Sequence, residues 1–353
     1  MNGFKKGDRW AYSAKKDKLK FISSMYIISL AALLQYFLLK ELPGIIYAVL
    51  SYFIQDSRIL EFFAPQEANH MLFDAMAILT TFFSCAATGF FIVACLKKFG
   101  PRTNILGEND SVSYRFKLPD KTPALLLAGV CMMEFCSFAY LFLNIFLDKF
   151  FNVSPIPPSG SQAYFPQTFV GIILYFVSLV AVPALAEEFV CRYMMLNALK
   201  KYGNTFAIVS TSVFFGFMHA KTSAFIYATA MGFFLAYVAI KTKSVWFSVL
   251  LHALVNFISF VFQYLSSLAF LYEESVDILY LMFCALIFLA CAVYLFVLIA
   301  KKKHRYNRLD APAGYIHIPK KQKLLFFFNF ASIIFFVLTI LRSLEEYGFM
   351  GFK

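Results

Sequence analysis

The sequence predicts an all-α protein, a polytopic membrane bundle of about nine transmembrane helices with its N-terminus in the cytoplasm. Three observations predict it. Of the 353 residues, 61% are hydrophobic, above the roughly 45–50% usual in soluble domains. Mean hydropathy is +0.70. Apolar runs of about 20 residues, enough to cross a ~30 Å hydrocarbon core, recur along the whole chain. Only helices satisfy their own backbone groups in lipid, so each run is expected to be helical.

The runs fall near 21–39, 71–96, 122–147, 167–190, 205–220, 223–240, 244–265, 278–300 and 324–341. Residues 1–20 form a basic cytoplasmic N-terminus, and the first run reads as an uncleaved signal anchor, since no small-residue cleavage site follows it. Residues 21–164 carry the N-terminal transmembrane helices, 165–265 a central core and 266–353 the C-terminal helices. The stretch "PGIIYAVLSYFI" within 40–70 is apolar enough to lie along the interface. "SPIPPSGS" within 148–166 cannot continue a helix and reads as an outer loop.

The net charge of +12 suggests nucleic acid until the charges are placed. With the N-terminus inside, the inner segments carry 25 Lys and Arg and the outer ones 6, with Arg192 within a span. The positive-inside rule accounts for that asymmetry, so the charge is topogenic and the expected partners are the bilayer and a substrate, with no nucleic acid. The seven cysteines all fall inside predicted spans without a CxxC pair, which marks them as packing residues. Lys outnumbers Arg 24 to 8 and Phe reaches 46, a bias that suits an AT-rich bacterial genome and hence a bacterial plasma membrane. The oligomeric state is left open.

Ionisable residues inside a membrane cost a few kcal/mol each and point to function. They are read here as concentrated between residues 187 and 256, in three patterns: Glu187-Glu188-x-x-x-Arg192, Phe215-x-x-x-His219 and His252-x-x-x-Asn256. Each has i, i+4 spacing, which puts its key residues on one helical face. Glu187 lies 16 residues before Gly203 and His219 16 after it. At 1.5 Å per residue both sit about 24 Å from that inner turn, and Asn256 sits about 21 Å above the turn near Thr242. Three helices thus bring polar groups to one depth.

The roles follow from chemistry. A carboxylate and an imidazole sharing a water can make it a nucleophile. A second imidazole and an amide offer donors to an oxyanion. Glu188 and Arg192 pair on the face about 100° from Glu187. Pro183, lacking an N–H, leaves the Leu179 carbonyl free and predicts a kink before the glutamates.

These three patterns, reading EEFVCR, FGFMH and HALVN, resemble the CPBP intramembrane protease family, also called the CAAX protease and bacteriocin-processing family, which includes the Rce1-type prenyl proteases. The resemblance covers about 165–265. It implies an intramembrane glutamic endopeptidase cutting a membrane-associated or lipidated peptide. Glu187 would be its base, His219 would help hold the water, and His252 and Asn256 would stabilise the oxyanion. It also implies a cavity open toward the cytoplasm. No cofactor is expected: a Glu/His/His zinc site is chemically allowed but disfavoured, since no HExxH-type motif is present and Asn is a poor zinc ligand. The alternative is a non-proteolytic membrane protein of the same fold, serving bacteriocin self-immunity or regulating a sensor. A transporter is disfavoured because the ionisable groups gather at one depth.

Overall fold

The computed structural model describes residues 6–42, 45, 66–99, 111–113, 122–151, 165–220, 222–270, 282, 285–286, 288–294, 296–297 and 315–346. The predicted interfacial stretch, the "SPIPPSGS" loop, Cys284 and much of the run 278–300 lie outside them. The architecture is a polytopic helical membrane bundle. Its elements are α1 (Lys6–Tyr36), α2 (Gln66–Phe99), α3 (Thr122–Phe151), α4 (Phe169–Lys200), α5 (Asn204–Met218), α6 (Thr222–Thr242), α7 (Val245–Phe270), α8 (Lys320–Leu324) and α9 (Phe330–Glu346). Among the described residues, five stretches are long and apolar enough to span a bilayer: Lys15–Glu41, Phe73–Phe99, Phe169–Lys200, Ala224–Thr242 and Val245–Leu265. Pro123–Cys136, Asn204–Met218 and Phe330–Leu344 are shorter apolar helices, so eight of the nine predicted runs have a helical counterpart here.

α4 departs most from its sequence reading. The pattern predicts an end near residue 190, yet the helix runs on to Lys200. Thr168 caps it, its hydroxyl accepting from the Gly171 N–H at 3.1 Å. Val177–Ala181 and Phe189–Met195 are π-helical, on either side of a short α segment, Val182–Glu188, that opens with Pro183 near its start. The predicted opening at Pro183 is therefore taken up as a widened turn within a continuous helix. Gly203, at φ 121°, closes the inner turn; that backbone region favours glycine. Lys200 and Lys201 are buried, and the Ile316 N–H donates to the Lys201 carbonyl at 2.8 Å.

Lipid supplies little hydrophobic drive between helices, so small residues and polar contacts must hold them together. α5 and α6 pack most closely. A Cβ on Gly216 would lie 2.0 Å from Thr229 Oγ1, and one on Gly232 3.0 Å from Ser212 Cα. α9 is tied to α1 by Asn329, whose amide donates to Ser29 Oγ at 2.9 Å, and by a Ser29–Ser332 hydroxyl pair at 2.8 Å. Phe335 of α9 stacks on Phe214 of α5, ring centroids 5.2 Å apart. α4 runs between α2 and α7, which fixes what its two faces meet. Large apolar side chains such as Phe90 and Phe330 point outward, as a lipid-facing surface requires.

Candidate active site

Glu187 and Glu188 are neighbours in sequence, and α4 turns them to different environments. Glu188 is fully buried and meets two partners. Its Oε1 accepts from His252 Nδ1 on α7 at 3.1 Å. Its Oε2 lies 3.2 Å from Arg192 Nε one turn on. That second contact has ion-pair distance without hydrogen-bond alignment, and no guanidinium nitrogen has a hydrogen-bond partner among the described residues. The charge is also met by the face of Phe215, 4.7 Å from Arg192 Cζ, a cation–π contact strengthened by desolvation.

Glu187, in contrast, is half-buried and lines a cavity of about 240 Å³ together with His219. The His219 Nδ1 is 2.8 Å from the Phe215 carbonyl. A carbonyl can only accept, so Nδ1 carries the hydrogen and the neutral ring presents a lone pair at Nε2. Backbone geometry ends α5 at this residue: Ala220, at φ 51°, adopts a left-handed turn immediately after His219. Phe215 is the common wall. Its ring makes edge contacts with both His219 and His252, at centroid distances of 4.9 and 5.9 Å.

Asn256 is placed elsewhere. Its Nδ2 donates to the Leu179 carbonyl at 3.0 Å. That carbonyl is the acceptor which Pro183 cannot serve, so α7 supplies through a side chain the bond that α4 lacks. Neither Asn256 nor His252 is among the residues lining the Glu187 cavity. The structure therefore joins Glu187 to His219, joins Glu188 to both Arg192 and His252, and sets Asn256 on the α4 backbone. The single convergence expected from depth becomes three adjacent groupings, because depth alone says nothing of rotation about a helix axis.

Three further residues belong to the picture. Gln35 of α1 lines the cavity almost fully buried, with its Nε2 on Cys85 Sγ at 3.3 Å and, among the described residues, no partner for its Oε1. Asp74 of α2 accepts from Ser178 Oγ at 2.9 Å. Glu134 is buried in the apolar helix α3. The concentration of ionisable residues between 187 and 256 is thus not exclusive: Asp74 and Glu134 stand in apolar helices as well, and both were visible as isolated polar letters in apolar runs. Among the described residues no three His, Cys, Asp or Glu side chains converge on one point.

Tyr202, beside the inner turn, bonds Ser24 of α1 through its hydroxyl at 3.0 Å. The cavity meets Gln35 of α1 and Leu39 and Lys40 of the π-helical turn Phe37–Glu41 that continues it, up to about 24 Å further along the helix.

Comparison with known proteins places the site in context. The family model described as Type II CAAX prenyl endopeptidase Rce1-like matches residues 169–258. All three motifs fall within the matched residues. A protein of Bacillus subtilis (strain 168) named "Putative membrane peptidase YdiL" is 34% identical over 85 residues, 24% of this chain and 34% of that protein. The chain thus spans about a third of the length of this curated relative. No solved structure matches the chain.

Proposed function

We propose that this multi-pass membrane protein is an intramembrane endopeptidase of a bacterial plasma membrane, cleaving a membrane-associated or lipidated peptide. The observation that carries the reading is the shared cavity: Glu187 and His219 face one space of about 240 Å³, whereas the neighbouring Glu188 is sealed among charged partners. A water held between the Glu187 carboxylate and His219 Nε2 would lose a proton to Glu187 as its oxygen attacks the scissile carbonyl carbon. Collapse of the tetrahedral intermediate breaks the C–N bond, and the same proton passes from Glu187 to the leaving amine.

Donors for the oxyanion remain in the set named from the sequence. The Asn256 amide keeps a second hydrogen besides the one given to Leu179, and His252 offers Nε2–H when its ring is doubly protonated. The printed names of the family and of the Bacillus subtilis relative support a peptidase. The reaction needs no cofactor in this scheme, so a chelator should leave cleavage intact.

The test is comparative peptidomics of cells carrying the wild type and Glu187→Ala, with insertion of the variant verified. Peptides missing from the variant support the reading. An unchanged peptide profile, with bacteriocin protection or sensor signalling that survives Glu187→Ala, would replace it with a non-proteolytic role for the same fold.

A further inference from the structure

α1 reaches the Glu187 cavity with a polar side chain whose hydrogen bonding is incomplete. The stretch Lys15–Glu41 is apolar enough to span a bilayer, and a polar group buried in it must find its partner within the protein, because lipid offers none. Ser24 meets the Tyr202 hydroxyl at 3.0 Å. Ser29 donates to the Met25 carbonyl at 2.9 Å and accepts from the Asn329 amide at 2.9 Å. The Tyr36 hydroxyl donates to Glu41 Oε1 at 3.2 Å. Gln35 differs from all three. It is 1% exposed and gives an Nε2 hydrogen to Cys85 Sγ at 3.3 Å, and its Oε1 has no partner among the described residues.

An acceptor left empty in a buried place is costly, and folded chains keep few of them. Gln35 is a wall of the same space of about 240 Å³ that Glu187 and His219 line. A sphere of that volume is about 8 Å across, roughly two residues of extended chain at 3.8 Å between successive Cα atoms. A peptide whose scissile carbonyl lies between Glu187 and His219 therefore brings the N–H of an adjacent residue to the α1 wall. Two other polar walls serve that N–H less well. Lys40 can only donate, and the Thr80 hydroxyl is turned to the Met76 and Ala77 carbonyls of its own helix.

We propose that Gln35 is a substrate-binding residue, its Oε1 accepting a hydrogen bond from the N–H of a residue beside the scissile bond. The inference rests on the peptidase reading. It assigns part of the peptide site to α1, outside residues 169–258 that carry the motifs. Such a contact reads backbone and not side chain, so it sets the register of a bound peptide without selecting its sequence.

The probe is a synthetic peptide reproducing the site that the Glu187→Ala comparison identifies. It is prepared with each N–H near the scissile bond, the scissile one excepted, replaced in turn by an ester oxygen. Purified full-length wild type and Gln35→Met are assayed on the set in detergent. One ester should lower wild-type kcat/KM about tenfold, chiefly through KM, as loss of a contact made equally in ground and transition states does. The same ester should cost Gln35→Met nothing, that variant being already about tenfold down on the parent peptide. A merely structural Gln35 would lower the unfolding temperature on substitution and leave the ester penalty in place. A wild type indifferent to every ester, which is read without any variant having to fold, overturns the proposal. So does a Gln35→Met that keeps the wild-type penalty; in both cases the peptidase reading stands. If no peptide is lost from Glu187→Ala cells, both fall together.

Discussion

The two glutamates show what one residue of helical rotation can separate. Glu187 borders open space with a histidine whose lone pair is available. Glu188, about 100° round the same helix, is enclosed by Arg192, His252 and the wall formed by Phe215. The cavity leaves its carboxylate free for proton transfer, at little cost to the fold. The enclosed cluster is the converse: it holds α4 to α7. A buried ion pair is weak evidence of net stability, but removing one partner strands the other charge.

Substitutions can break this contrast. The largest effect belongs to Glu187→Gln, expected to cut kcat/KM about 10²–10⁴-fold with the unfolding temperature in detergent little changed. A stability loss matching that of a Glu188 variant would erase the distinction. Next, Arg192→Met should destabilise by about 3–5 kcal/mol by leaving Glu188 uncompensated. The double variant Glu188→Gln with Arg192→Met should recover most of that, the two sites being in contact. Thermal unfolding of the three variants decides it, and simple additivity would mean that the pair is not coupled.

Smaller effects sharpen how the site is held. Gly216→Ala places a methyl against Thr229, a clash expected to cost about 1–3 kcal/mol and less in a Thr229→Ala background. Helix-pair stability in detergent reads it. Asn256→Ala should cost about 1–3 kcal/mol by emptying the Leu179 carbonyl. With Pro183→Ala that carbonyl regains a backbone donor, so the Asn256 substitution should become nearly neutral in a double-mutant cycle. A cost that persists would mean that Asn256 stabilises the bundle through a contact other than the Leu179 carbonyl.

Much of this was legible in the residues. Eight of the runs became helices because apolar length is a local property. Glu188 and Arg192 pair because i, i+4 spacing is local too. The freed Leu179 carbonyl followed from Pro183, although its acceptance from Asn256, 77 residues away, did not. Gln35 and the α2 threonines were missed for the same reason: nothing within α1 or α2 announces that they face Glu187.

The sequence by itself determined the membrane setting of this protein, its helical class, the approximate places of its apolar helices, and the order of polar side chains along each helix. These depend on hydropathy, helical rise and charge counts along one segment at a time. Only the tertiary structure decided which depth-matched groups meet, and that residues 111–113 and 315–323 pack against the inner ends of α4 and α6. Those outcomes depend on rotation about each helix axis and on which helices are neighbours, and both are set by packing between segments far apart in the chain.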